Sequence, residues 1–292
     1  MEEAMEDVLG GYAREVESAL EDVGREIEPR LLSDAVLHVS MSGGKRLRPA
    51  LTLLSYEAVG ASGPRERALR YAVGVEYVHT SALVADDVID RSDVRRGAPS
   101  VHDEFDHDVA VLSSNALLAK ALEITDDRRA VEAMVSAVRR LGEGEAMELV
   151  ENLGSTEEYE ELAYRKTAAL FEAACVVGGV AGEASDAELD ALADYARHLG
   201  IAFQIRDDVL DYTSTQDDLG KPVGRDALLD RPSVVAVHLR SEDARLPESV
   251  EYARGLARDH VEEARDAAEA LEPSGARESL SDVAGFAVDR RV

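Results

Sequence analysis

The sequence predicts an all-α protein, a single domain over residues 1–292 built as an antiparallel bundle of ten or so helices. Three observations predict it. Apolar side chains recur at intervals of three and four over long segments. No run alternates apolar and polar residues between hairpin turns. Tryptophan is absent and aromatics are 4% of the chain, so the core is aliphatic, made of Ala, Leu and Val.

The elements follow in chain order. "GASGPRE" at 60–66 is a short break. Residues 67–90, "RALRYAVGVEYVHTSALVADDVID", then read as one long helix. Residues 157–182 and 186–212 read the same way. Ser185, three positions before Glu188 and an apolar pattern, has the form of a capping box. A polar stretch around 213–233 and "LEPSGA" at 271–276 are the later breaks. No Pro/Gly/Ser-rich linker divides the chain.

Sixty acidic residues against 32 basic ones give a formal charge of −28, which a phosphate backbone would repel; this argues against nucleic acid as a partner. Only four of the basic residues are lysines: Lys45, Lys120, Lys166 and Lys221. An acidic, lysine-poor surface suits concentrated salt, where screening weakens self-repulsion, and so a halophilic source. The alternative is an acidic protein from a GC-rich genome. Cys175 is the single cysteine, so neither an intrachain disulfide nor a cysteine metal site is possible, and a reduced cytoplasmic setting fits. The start, "MEEAMEDVLG", lacks the basic and apolar regions of a signal peptide. No apolar run is long enough to span a membrane.

Two stretches carry the chemistry. "DDVID" supplies Asp86, Asp87 and Asp90, and "DDVLD" supplies Asp207, Asp208 and Asp211 at the same spacing. Residues i and i+4 share a helix face, so Asp86 sits beside Asp90, and Asp207 beside Asp211. Like charges so placed repel unless a cation lies between them. Oxygen ligands without histidine or cysteine suit magnesium, which bridges a few carboxylates to substrate phosphates. One such cluster could be a solvated acidic face. Two, each ending an apolar helix, point to a diphosphate held from both sides.

The lysines are a second signal. Lys45 in "SGGKRLRP", Lys166 in "YRKTAAL" and Lys221 in "DDLGKPVGRD" adjoin polar or glycine-containing sequence. A compact ammonium reaches a phosphate oxygen as a point charge, and Gly43 and Gly44 let the backbone approach as well. Lys120 in "LLAKALE" has no such setting and reads as a surface lysine.

With these residues assembled, residues 31 to 286 resemble the trans-isoprenyl diphosphate synthases, the geranylgeranyl and polyprenyl diphosphate synthases among them. The resemblance rests on five ordered motifs: "GGKRLRP", "DDVIDRSDVRRG", "RKTAAL", "GIAFQIRDDVLDY" and "GKPVGRD". It implies the isoprenoid synthase fold, a helical bundle around a central cavity, and magnesium-dependent condensation of isopentenyl diphosphate with an allylic diphosphate. Two to three Mg2+ ions are expected with diphosphate bound. Asp86 and Asp90 would hold ions on one side with Asp87 supporting, and Asp207 with Asp211 on the other. Arg95, Lys166 with the adjoining Thr167, Gln204 and Lys221 would contact the allylic diphosphate. Lys45, Arg48, His79 and Arg96 would hold that of isopentenyl diphosphate. A homodimer is implied, and the acidic, lysine-poor composition suggests a halophilic archaeon.

One helical turn rises about 5.4 Å, roughly one isoprene unit. The floor beneath the reacting carbon would then be Ser81 and Ala82, below them Val78, and below that Val75. Family members that stop at farnesyl usually carry aromatics at the first level. The small residues here imply elongation past farnesyl, to geranylgeranyl or one unit more, with Tyr77 the nearest bulky side chain.

The chain departs from the family at Ala85 (usually histidine), Asn115 (aspartate), Glu145 (glutamine) and Arg231 (lysine). Competing readings are a non-catalytic subunit that tunes an active partner, a terpene cyclase on the same fold, and a di-iron bundle. The first should lack aspartates, the second leaves Lys45, Arg48 and Arg96 without a task, and the third needs a second Glu-x-x-His besides Glu76–His79.

Overall fold

Tyr71 to Val78 are buried without interruption, so the helix that carries them, Arg65–Asp90, is covered on every side in its middle. It begins two residues before the predicted start, directly after Pro64, whose fixed φ suits the entry to a helix. It ends where Arg91 turns left-handed (φ 54°), so the Asp86–Asp90 turn stands at the helix mouth.

The computed structural model describes residues 2–150, 153–219, 232–241 and 244–289. The helices are α1 (Glu2–Gly24), α2 (Arg30–Ser40), α3 (Leu47–Ala58), α4 (Arg65–Asp90), α5 (Val101–Glu104), α6 (His107–Glu123), α7 (Arg128–Val150), α8 (Thr156–Ala163), α9 (Ala169–Ala181), α10 (Asp186–Leu219), α11 (Val234–Ser241), α12 (Leu246–Glu269) and α13 (Gly275–Asp289). The all-α expectation holds. α4 packs against α6, α3 against α9, α9 against α7 and α10, and α10 against α12. The cores between them are mainly Ala, Val and Leu, with buried Tyr71, Tyr77, Tyr159, Tyr195 and Phe171 as the large exceptions.

The capping box is present: Ser185 N donates to Glu188 Oε2 at 2.8 Å, and Glu188 N to Ser185 Oγ at 3.4 Å. The segment 157–182, expected as one helix, is α8 and α9 joined by a π turn at Tyr164–Ala168. α10 runs on to Leu219, beyond the break expected at 213. Strands, not expected, appear among the described residues as a two-residue hairpin, β1 (Val94–Arg95) with β2 (Ala98–Pro99). Its turn residues Arg96 and Gly97 both have positive φ, 52° and 78°, as a type I′ turn requires.

Lys120 is not a surface lysine. It is buried, with its ammonium 2.9 Å from Glu26 and 3.2 Å from Glu123, and so ties α6 to the chain after α1.

Candidate active site

The mouth of α4 sorts its three aspartates by face. Asp86 is half-buried and Asp90 exposed, on one side of the helix. Asp87, between them in sequence, points inward and is 2% exposed. There it accepts from Arg95 of β1, Nε to Oδ1 at 2.8 Å. Asp87 therefore supports Arg95, while Asp86 and Asp90 present their oxygens outward. Burial, then the nearby Glu145 carboxylate, lifts the Asp86 carboxyl to about 6.

The hairpin turn delivers Arg96 to the segment before α3, where it donates to the Gly43 carbonyl. Gly44 has φ +129°, and a Cβ there would lie 2.7 Å from the Arg96 guanidinium. Gly44 thus makes room for an arginine beside Lys45 and Gly43 offers it a carbonyl, a more specific need than the phosphate approach expected of them.

The π turn places Lys166 and Thr167 side by side. Lys166 Nζ lies 3.2 Å from Glu145 Oε1 and also bonds Glu148, both on α7. Burial works against its charge, and the two carboxylates overcome this and raise its pKa. Thr167 Oγ1 donates to Gln204 Oε1 at 2.6 Å, and Gln204 Nε2 to Asp208 Oδ1 at 2.9 Å. Tyr159 Oη donates to the other Asp208 oxygen at 2.7 Å. Asp208 is the innermost aspartate of its motif, and burial raises its carboxyl to about 7 even against those two donors.

α10 is a shared wall between two hollows. Gln204, Asp208 and Asp211, one face of the helix, line a cavity of about 310 Å³ with Lys166, Glu148, Tyr159 and Tyr212. Phe203, on the neighbouring face with Asp207, lines a second of about 470 Å³ with Lys45, Arg48, His79, Arg96 and Phe171. Burial raises the Asp207 carboxyl, while Arg206, Lys45 and Arg48 pull it down. Arg48 Nη1 lies 3.3 Å from His79 Nε2, and its guanidinium carbon lies 4.6 Å from the Phe171 ring centre. Burial lowers Arg48 to about 10, and its sealed Nε has no partner among the described residues. Burial and the surrounding arginines hold His79 well below its ordinary value, so its neutral ring accepts from Arg48. In the wall of this same hollow, buried Arg46 donates to Glu76 Oε1 at 2.7 Å.

The pattern of the polyprenyl synthetase family matches residues 29–271. The chain belongs to the polyprenyl synthetase family. It is 36% identical to a short chain isoprenyl diphosphate synthase of Methanothermobacter thermautotrophicus, over 97% of this chain and 98% of that protein. It is 32% identical to a geranylfarnesyl diphosphate synthase of Natronomonas pharaonis, over 90% and 91%. Its fold matches the crystal structure of a geranylgeranyl pyrophosphate synthetase from Pyrococcus horikoshii with a TM-score of 0.88, at 33% identity over 99% of each chain.

In this polyprenyl synthetase the sequence-chosen residues do not all line one space. Lys221 and Arg231 lie outside the described residues. Of the rest, Lys45, Arg48, His79 and Arg96 line one hollow and Lys166, Gln204 and Asp211 the other, while Asp86, Asp87, Asp90, Arg95, Thr167 and Asp207 are not among the residues that line either. The acidic clusters fit a magnesium ion by donor type: each offers carboxylate oxygens only, and the carboxyls of Asp86 and Asp207 stand raised, chiefly by burial, despite the cations near them. No group of three or more ligands closes on one point among the described residues. The clusters could therefore complete a magnesium shell only with water or diphosphate oxygens, as this ion prefers.

Below Asp86, Val75 and Val78 are buried, and Ala82 is partly so. Ser81 Oγ meets Ser114 Oγ of α6 at 2.9 Å. Tyr77 points elsewhere: its hydroxyl donates to the Leu20 carbonyl of α1 at 2.9 Å. The sequence reading named Asp208 within its motif but gave it no role, and missed Tyr159, Glu148, Phe171 and the Arg46–Glu76 pair. Only Arg46, inside "GGKRLRP", carried a local signal.

Proposed function

We propose that this polyprenyl synthetase is a trans-prenyltransferase that joins isopentenyl diphosphate to an allylic diphosphate, making geranylgeranyl diphosphate or the product one unit longer. The observation that carries the reading is the grouping of Lys45, Arg48, His79 and Arg96 around one hollow next to Asp207, with Lys166, Gln204 and Asp211 around the other. One hollow is cationic and the other mixed, as two diphosphates of different roles require.

Asp86, Asp90, Asp207 and Asp211 would hold Mg2+, which neutralises the departing diphosphate when bound. Lys166 and Arg95, with Thr167 and Gln204 and with Lys221 from outside the described residues, orient that diphosphate. Its allylic carbon–oxygen bond can then ionise. Lys45, Arg48, His79 and Arg96 fix isopentenyl diphosphate so that its double bond attacks the cation, and a proton is lost to the released diphosphate. Buried Val75 and Val78, with Ser81 and Ala82, leave no aromatic beneath the reacting carbon. The similar geranylfarnesyl diphosphate synthase agrees with a product beyond farnesyl.

The protein works as a homodimer in the cytoplasm on this reading. Val111, Leu112 and Leu122 leave an apolar face on α6, and no helix among the described residues is long and apolar enough to cross a membrane. The test is incubation with isopentenyl diphosphate and each allylic primer, with magnesium in high salt, followed by chromatography of the dephosphorylated alcohols. Twenty- or twenty-five-carbon alcohols are expected. A hydrocarbon would assign a cyclase, and turnover only with another subunit would assign a regulatory chain.

A further inference from the structure

We propose that Glu145, assisted by Glu148, is a positioning residue that holds the Lys166 ammonium in the unliganded protein and competes with the allylic diphosphate for it. The inference rests on the prenyltransferase reading and concerns how its allylic subsite is charged.

Backbone shape brings the groups together. α7 meets the π turn at Gly144, where a Cβ would lie 2.9 Å from Lys166 N and 3.1 Å from its Cα. With no side chain between them, the next residue reaches over the turn, and Glu145 Oε1 stands 3.2 Å from Nζ. Glu148, three residues on and so on the same face, bonds the same ammonium. An ammonium has three donors, and these two glutamates occupy two of them.

Glu145 faces a second group. Its charge is felt by Asp86, as is that of Lys166. Two carboxylates, Glu145 and Glu148, hold one ammonium at the edge of the hollow that Lys166 lines. An incoming diphosphate must take donors from the glutamates and enter beside their charge. A glutamine at 145 would still accept from Lys166 and keep its side chain in place. It would remove only the repulsion and the charge-assisted part of the competition.

The test compares the wild type with Glu145→Gln and Glu148→Gln, using inorganic pyrophosphate as the probe. Calorimetry at fixed magnesium reads affinity without turnover, and steady-state kinetics reads each KM. Glu145→Gln is expected to bind pyrophosphate about twofold to fivefold more tightly, the scale of one partly exposed charge pair. Its KM for the allylic diphosphate should fall by the same factor, its KM for isopentenyl diphosphate should not move, and added salt should shrink the gap. Glu148→Gln should shift affinity in the same direction. Unchanged pyrophosphate affinity in both variants overturns the proposal. So does weaker binding together with a raised magnesium requirement, which would make Glu145 a metal ligand. A wild type that turns over no substrate pair sinks the prenyltransferase reading instead, while the calorimetry still decides the clamp.

Discussion

Arg48 and His79 meet at 3.3 Å, Nη1 to Nε2, across the contact between α3 and α4. The arginine is half-buried with its Nε sealed from solvent, and the imidazole is held neutral by burial and by Arg48 itself. A neutral histidine gives the guanidinium an acceptor without cancelling the positive charge that a diphosphate needs.

Replacing His79 with alanine should therefore raise the KM for isopentenyl diphosphate by about tenfold, the scale of one hydrogen bond to a charged group. The KM for the allylic partner should stay put. Steady-state kinetics with each substrate varied in turn checks this. Equal changes in both constants would place His79 in the core.

Magnesium binding should depend steeply on pH. The Asp208 and Asp86 carboxyls stand raised, to about 7 and about 6, chiefly by burial. Below about 6 the metal-free protein holds a proton on Asp86, one of the carboxylates that would bind the cation, and binding must expel it. Affinity should rise from pH 5.5 to pH 8 and then level off. Calorimetry in buffers of different ionisation enthalpy should show proton release near pH 6 and little at pH 8. The same shifts carry a stability sign. A carboxyl raised in the folded state binds more protons there than in the unfolded chain between its ordinary and raised values. These two groups thus favour the fold at acid pH, and that contribution fades as pH rises towards 7.

The pair Arg46–Glu76 should be worth more to stability than any surface ion pair. Both side chains are almost fully enclosed. Glu76→Ala leaves the buried guanidinium with only the Ser40 carbonyl and the more distant, partly exposed Glu17 carboxylate at 3.6 Å, which costs about 3 kcal/mol. Breaking the exposed Arg25–Glu21 pair should cost under about 0.5 kcal/mol. Urea midpoints of the two variants measure the difference.

Much of this was legible in the sequence, and what was not has physical causes. Periodicity placed α4 within two residues because its apolar stripe is continuous. The same signal hid the π turn, since one extra residue in a helix leaves the spacing of apolar neighbours almost intact. Asp207, Asp208 and Asp211 look alike in sequence. Only Tyr159, 49 residues away, makes Asp208 the buried one. Lys120 reads as ordinary because its partner Glu26 is distant in the chain. The arginines 95 and 96 were found from their motif, but not the hairpin that turns one towards Asp87 and the other towards Gly43.

Product length should answer to the α4–α6 contact. Ser81→Phe would replace the Ser81–Ser114 contact with a ring beneath the reacting carbon. The main product should drop to farnesyl, at a cost in stability of about 1 to 3 kcal/mol from overpacking. Chromatography of the dephosphorylated alcohols decides it, and an unchanged product would place the floor elsewhere.

On the proposed mechanism, two separate carboxylate clusters would hold divalent ions around one diphosphate. Anomalous diffraction from crystals soaked with manganese and pyrophosphate tests it most directly. Manganese peaks are expected beside Asp86 and Asp90 and beside Asp207 or Asp211, with pyrophosphate bridging them. Peaks at one cluster only, or pyrophosphate bound away from both, would contradict it.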